Sequence, residues 1–182
     1  FAVNGVEAIR VGNNLVVALP LETDLSKVTV TFKCNVASVK CDDKPQKSGE
    51  TRSFEFDKTV PYVLESADGR RTNYKVKVYN FNFPTFVLYS ETILSTETWT
   101  ENCTLFIQDT FAKVTQMGLK VKGHGNSTWG WPKKPFNFAL YDKQPVLDMN
   151  KHKRWVMLAN WKDRTQIRNA VGLEIDRTTE LA

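Results

Sequence analysis

Short apolar–polar alternations, each stopped by turn-forming residues, constrain the first part of this chain more than any other feature. From Lys27 to Cys34, Val28, Val30 and Phe32 fall on one face and Lys27, Thr29, Thr31 and Lys33 on the other. Asn73–Tyr79 repeats the pattern, with Tyr74, Val76 and Val78 inward and Lys75 and Lys77 outward. Ala8–Val11 breaks at Gly12-Asn13-Asn14, residues that tolerate positive φ, and Leu15–Leu19 stops at Pro20. Val36–Cys41 gives way to a polar loop through Asp42-Asp43-Lys44-Pro45, Arg52–Phe56 places Phe54 beside Phe56, and Tyr62–Glu65 ends at Ala67-Asp68-Gly69. Seven half-buried strands in about 80 residues, none with helical period, predict a two-sheet β-sandwich over residues 1–81.

A compositional step follows. All five tryptophans (Trp99, Trp129, Trp131, Trp155, Trp161) lie after residue 98, and Asn80-Phe-Asn-Phe-Pro84 marks the expected boundary of a second part, residues 84–182. Its strand candidates are Phe86–Tyr89, Cys103–Gln108, Gly118–Lys122, Phe136–Tyr141 and Trp155–Ala159. Lys120 and Lys122 alternate with Leu119 and Val121, giving one basic and one apolar face. After Lys162 the period changes: Ile167, Ala170, Val171 and Ile175 recur at helical spacing, and Asp163 with Gln166 forms a capping-box pattern. The helical pattern runs on to Leu181-Ala182 without a stop signal, which reads as truncation, and the chain opens in what reads as folded sequence at Phe1, so a cut piece of a longer protein is expected.

The net charge of +5 is unevenly placed. From Lys113 to Arg168 nine Lys and three Arg face only Asp142, Asp148 and Asp163, whereas residues 81–112 hold four acids and no Lys or Arg. Such a block suits an anionic partner, or a solvated surface with lysines turned outward on strands. Nucleic acid is not expected, because the cations alternate along strands and no helix-turn-helix or RRM signature is present. No apolar run is long enough to span a membrane as a helix. Cys34, Cys41 and Cys103 leave one thiol unpaired whatever the connectivity, with Cys34 and Cys41 able to bridge only if their Cβ vectors face each other. His124 and His152 are isolated, so no metal site is expected.

The segment Gly123-His-Gly-Asn-Ser-Thr-Trp-Gly-Trp-Pro-Lys-Lys134 carries the most chemistry. Glycines just after a strand let backbone amides approach a ligand, Asn126, Ser127 and Thr128 supply small polar groups, and Lys133 and Lys134 supply charge. It is not a P-loop, since no Gly-Lys-Ser/Thr opens a helix there, and a tight structural loop is the alternative. Trp129 and Trp131 are the expected exposed aromatic pair, suited to sugar stacking or to packing beneath the loop, while Trp155 on its strand is expected in the core. Asn126-Ser-Thr128 and Asn102-Cys-Thr104 also match the N-glycosylation tripeptide.

Gly123–Lys134, Arg154-Trp-Val-Met-Leu-Ala-Asn-Trp161 and Asp163-Arg-Thr-Gln-Ile-Arg-Asn-Ala170, in that order, resemble the CotH spore-coat and kinase-like family, with Lys122 where that family often has Arg and Trp131 where Tyr is common. Residues 1–81 are similar, more generically, to the immunoglobulin-like modules placed ahead of such domains in secreted or lipid-anchored bacterial proteins. The resemblance implies a mostly β chain with a C-terminal helix: an immunoglobulin-like sandwich, then a truncated α+β kinase-like N-terminal lobe. It implies, in a longer parent, ATP and Mg or Mn as cofactors, phosphoryl transfer to Ser or Thr of an envelope or coat protein, and an extracytoplasmic location. The resemblance offers Lys133, Lys134, Arg168, Asn126 and Ser127 as candidates for nucleotide or phosphate binding, and Gly123, Gly125, Trp129, Asp163 and Asn169 as residues that build the motif. Arg168 can equally pair with a neighbouring acid, and the lysine stems can simply cover apolar surface. Asp142, Asp148 and Asp163 do not form the family's acidic set, so no catalytic residue and no phosphoryl transfer are expected within this chain. The competing expectation is a non-catalytic surface module that binds polysaccharide or another surface partner.

Overall fold

A computed structural model describes residues 1–165 and 167–178. The chain is mostly β, with one helix near its C-terminal end. Its strands are β1 (Ala2–Val3), β2 (Val6–Glu7), β3 (Ile9–Val11), β4 (Asn14–Leu19), β5 (Val28–Thr31), β6 (Ser38–Cys41), β7 (Lys44–Pro45), β8 (Glu50–Arg52), β9 (Thr59–Glu65), β10 (Arg71–Asn80), β11 (Thr85–Tyr89), β12 (Thr100–Gln108), β13 (Val114–Gly123), β14 (Phe136–Gln144) and β15 (His152–Met157), followed by α1 (Arg168–Thr178). Two compact units divide it: Phe1–Tyr89 with Leu105–Gln116, and Ser90–Thr104 with Met117–Ala182.

The first unit holds two sheets, of strand order β2-β1-β5-β8 and β3-β4-β10-β9-β6-β7. They share one apolar core, to which one sheet gives Val3, Val28 and Val30 and the other Leu15, Val17, Leu19, Tyr62, Val76 and Val78. The alternation read from sequence sorts these residues: Val76 and Val78 are fully buried, whereas Lys75 and Lys77 on the same strand point away. Most pairings are antiparallel, but β4 and β10 run parallel, Leu15 opposite Val76 and Val17 opposite Val78.

Several local expectations need correction. The Lys27–Cys34 strand ends at Thr31, and Cys34 lies exposed beyond it while Cys41 is buried in the core, so no bridge forms and all three thiols are free. Asp42 and Asp43 form a two-residue turn with φ of +48° and +60°, and the expected loop becomes the hairpin β6–β7. Pro45 is tolerated there because β7 is the last strand of its sheet. Phe54 and Phe56 do not share a strand: Phe54 is buried, and Phe56 stands 57% exposed in a turn.

Strands β11 to β15 form a five-stranded sheet in sequence order. In the second unit its apolar face pairs Leu119 with Leu140 and Val121 with Phe138, and continues to Trp155, whose ring stacks 6.4 Å from Phe138. Trp155 is half-buried rather than core, because β15 is the edge strand. The helix begins at Arg168, later than the periodicity suggested, and none of its residues is buried. Its stripe Ile167, Val171 and Ile175 is exposed. Gln166 of the capping-box pattern and the terminal Leu181-Ala182 lie outside the described residues. No described helix is long and apolar enough to cross a membrane.

Candidate functional site

The loop after β13 is built by close packing. The Gly123 N–H donates to the Ser95 carbonyl at 2.6 Å. A Cβ on Gly123 would lie 2.8 Å from the Trp129 ring and 2.9 Å from the Thr96 methyl, so only glycine lets the indole lie on this backbone. Gly125 has φ +74°, and the Thr128 hydroxyl fills the space its Cβ would need. Both glycines are thus explained by packing. Ser127–Gly130 forms one 3₁₀ turn, and the His124 N–H donates to the Pro135 carbonyl at 3.0 Å, closing the loop at its base. Trp129 meets Phe136 edge to face at 5.6 Å.

Lys134 is the clamp of this loop. Its Nζ donates to the carbonyls of Trp129 and, at 3.0 Å, of Trp131, and lies 5.2 Å from the centre of the Trp129 ring. Those carbonyls and the indole face spend the ammonium within the loop.

The opposite wall comes from the turn after β15. Asn160 takes φ +48°, a conformation asparagine tolerates, and the Asp163 N–H donates to the Asn160 carbonyl at 3.0 Å. Asp163 then organises the entry to α1. Its Oδ1 accepts from the Thr165 hydroxyl at 2.6 Å and the Thr165 N–H at 3.1 Å, and its Oδ2 accepts from the Arg168 N–H at 2.9 Å. Asp163 therefore satisfies an orphan N–H of the first turn from five residues upstream, outside the position of an N-cap residue. The Arg168 Nε lies 3.6 Å from Asp163 Oδ1. The Thr165 hydroxyl, then the Arg168 N–H, hold the Asp163 carboxyl below its ordinary pKa. Asn169 Nδ2 donates to Asn160 Oδ1 at 2.8 Å, tying helix to turn.

Between these walls lies an open pocket of about 560 Å³, lined by residues 124–128, Trp131, Pro135, residues 158–163 and Asn169. Of the residues singled out from sequence, Asn126, Ser127, Gly125, Asp163 and Asn169 line it. Gly123 and Trp129 support it from within the loop. Lys133, Lys134 and Arg168 do not line it. Lys134 is turned to the loop carbonyls, Arg168 to Asp163, and Lys133 is exposed on the loop's far end. Sequence reasoning missed Trp161, 47% exposed at the pocket, and Lys162, whose Nζ stands 4.8 Å over the Trp131 ring. The available signal was their place at the join of two motif blocks: Trp161 ends the Arg154–Trp161 block, and Lys162 lies between it and the Asp163–Ala170 block. The exposed indoles are Trp99 and Trp161, while Trp129 and Trp131 are half-buried.

No family model, curated protein or solved structure matches the chain.

A divalent metal does not fit the groups present. No three of His, Cys, Asp and Glu cluster among the described residues, and both oxygens of the one carboxylate at the pocket, Asp163, are already hydrogen-bonded.

Proposed function

We propose that residues 84–182 are the first part of a CotH-type kinase-like domain, preceded by an immunoglobulin-like sandwich in residues 1–81, and that the pocket receives a nucleotide. One observation carries the reading: the motif block around Asn126 and the two adjoining blocks around Asn160 and Asn169, which lie well downstream of it, converge on a single pocket. Two others support it. A five-stranded sheet leads into a helix, and that helix presents an uncovered apolar stripe, as a domain completed by further chain would.

Phosphoryl transfer needs cations on the transferred charge and carboxylates to hold metal and position the nucleophile. The carboxylates are the missing half, so on this reading residues 1–182 transfer no phosphate and a segment outside them supplies the acids. The parent would act outside the cytoplasm on Ser or Thr of an envelope or coat protein, with ATP and Mg or Mn. A second reading, polysaccharide binding by a surface module, is favoured by the exposed Trp161 beside the amides of Asn126, Asn160 and Asn169.

ATP titration followed by tryptophan fluorescence separates the two, since Trp131 and Trp161 both line the pocket. The kinase-like reading expects a saturable response to ATP, weakened roughly tenfold in Asn169→Ala, about 1.4 kcal/mol, and none to neutral oligosaccharides. A saturable response to oligosaccharide with none to ATP would establish the second reading instead.

A further inference from the structure

Among the described residues, the pocket lining carries one lysine, Lys162, that no salt bridge engages. Lys162 is exposed at the pocket wall and makes no ion pair among the described residues. The neighbouring Asp163 does not claim it, because that carboxylate is bonded to Thr165 and to Arg168. What holds the Lys162 ammonium is the face of Trp131, 4.8 Å from Nζ to the ring centre. An exposed cation–π contact is weaker than a charge-assisted hydrogen bond to an anion. The lysine is therefore positioned, charged and easily reassigned, and its departure would bare an indole face inside the pocket.

We infer that Lys162 is the residue of this pocket that meets the ligand's anionic group, and that the ligand is a flat-ringed anion, a nucleoside phosphate, whose ring takes the place of the ammonium on Trp131. This rests on the nucleotide reading above and deepens it. It also moves the anion contact away from Lys134, whose ammonium holds the Trp129 and Trp131 carbonyls, and from Arg168, which faces Asp163. Lys134 becomes a positioning residue: it fixes the turn that presents Trp131.

The test compares wild type, Lys162→Gln, Lys162→Arg and Lys133→Gln, titrated with ATP, adenosine and inorganic tripolyphosphate. Lys162 is exposed, so the glutamine variant is expected to melt as wild type does, which circular dichroism checks. Lys162→Gln should bind ATP at least tenfold more weakly, leave adenosine binding unchanged and lose competition by tripolyphosphate. Lys162→Arg should restore most ATP affinity, and Lys133→Gln should behave as wild type. ATP binding by wild type with equal affinity in Lys162→Gln overturns the inference and leaves the nucleotide pocket standing. A wild type that binds no nucleotide but binds a uronic-acid oligosaccharide in a Lys162-dependent way overturns the nucleoside assignment and the kinase-like reading together. Binding of neither ligand overturns both as well.

Discussion

Gly123 and Gly125 look in sequence like a phosphate cradle and in space like spacers for Trp129 and Thr128. Adding a methyl at Gly123 forces its Cβ against an indole and the Thr96 methyl, and neither is the loose end of a flexible chain. Gly123→Ala should therefore destabilise the chain by about 1–3 kcal/mol, the usual range for overpacking, read as a shift of the urea midpoint at constant slope. Gly130 has open space at its Cβ and no positive φ, so Gly130→Ala is the matched control and should change stability little. Asp163 offers a different test. Its carboxyl titrates below the ordinary value because the Thr165 hydroxyl and the Arg168 N–H bond its charged form. A depressed carboxyl stabilises the fold above the unfolded-state pKa of about 4, and that contribution is lost as pH falls through the lower folded value. Acidification below about pH 4 should release the first turn of α1, seen as faster exchange of the Arg168 amide, and Asp163→Asn should flatten this pH response. Asn126, Ser127, Asp163 and Asn169 were legible in the motif blocks, whereas Lys162 falls between two of them. The partners of the cations were not legible, because Lys134, Arg168 and Lys162 are alike on paper and only geometry shows that two are occupied and one is held by an indole.

Among the elements, strands with strict alternation were readable and those made by turn chemistry were not. Leu119 and Val121 against Lys120 and Lys122 place β13 correctly, since a half-buried strand has period two. The hairpin β6–β7 escaped notice because its signal, two aspartates at positive φ, also describes a plain loop. The helix periodicity was legible, but not the fact that its apolar stripe meets solvent. An exposed helix of 11 residues has little to stabilise it, because short helices depend on tertiary packing. Amides in the last two turns of α1 should exchange orders of magnitude faster than those of Leu119 and Val121, which lie between neighbouring strands. Gln108 makes a parallel case in the first unit: it is 2% exposed, and its Nε2 donates to the Ala18 carbonyl at 2.8 Å. Gln108→Ala should cost about 1–3 kcal/mol, because it strips a buried carbonyl of its donor.

At the scale of the whole molecule, the apolar faces account for the core and the cations do not account for themselves. Residues Lys113 to Arg168 hold twelve cations and three aspartates, yet Lys120 is tied to Glu101 and Arg168 to Asp163, so part of that excess is structural. Lys122 and Arg154 share the outer face of the five-stranded sheet with Lys120, a second basic surface that could draw an anion. The proposed function requires the ligand to enter the pocket between the 124–131 loop and the 158–163 turn and to leave that sheet face untouched. Backbone amide shifts during an ATP titration of residues 1–182 decide this directly. Shifts confined to residues 124–131, 158–163 and 169 are the predicted result. Shifts centred on Lys120, Lys122 and Arg154, or none at saturating nucleotide, would contradict it.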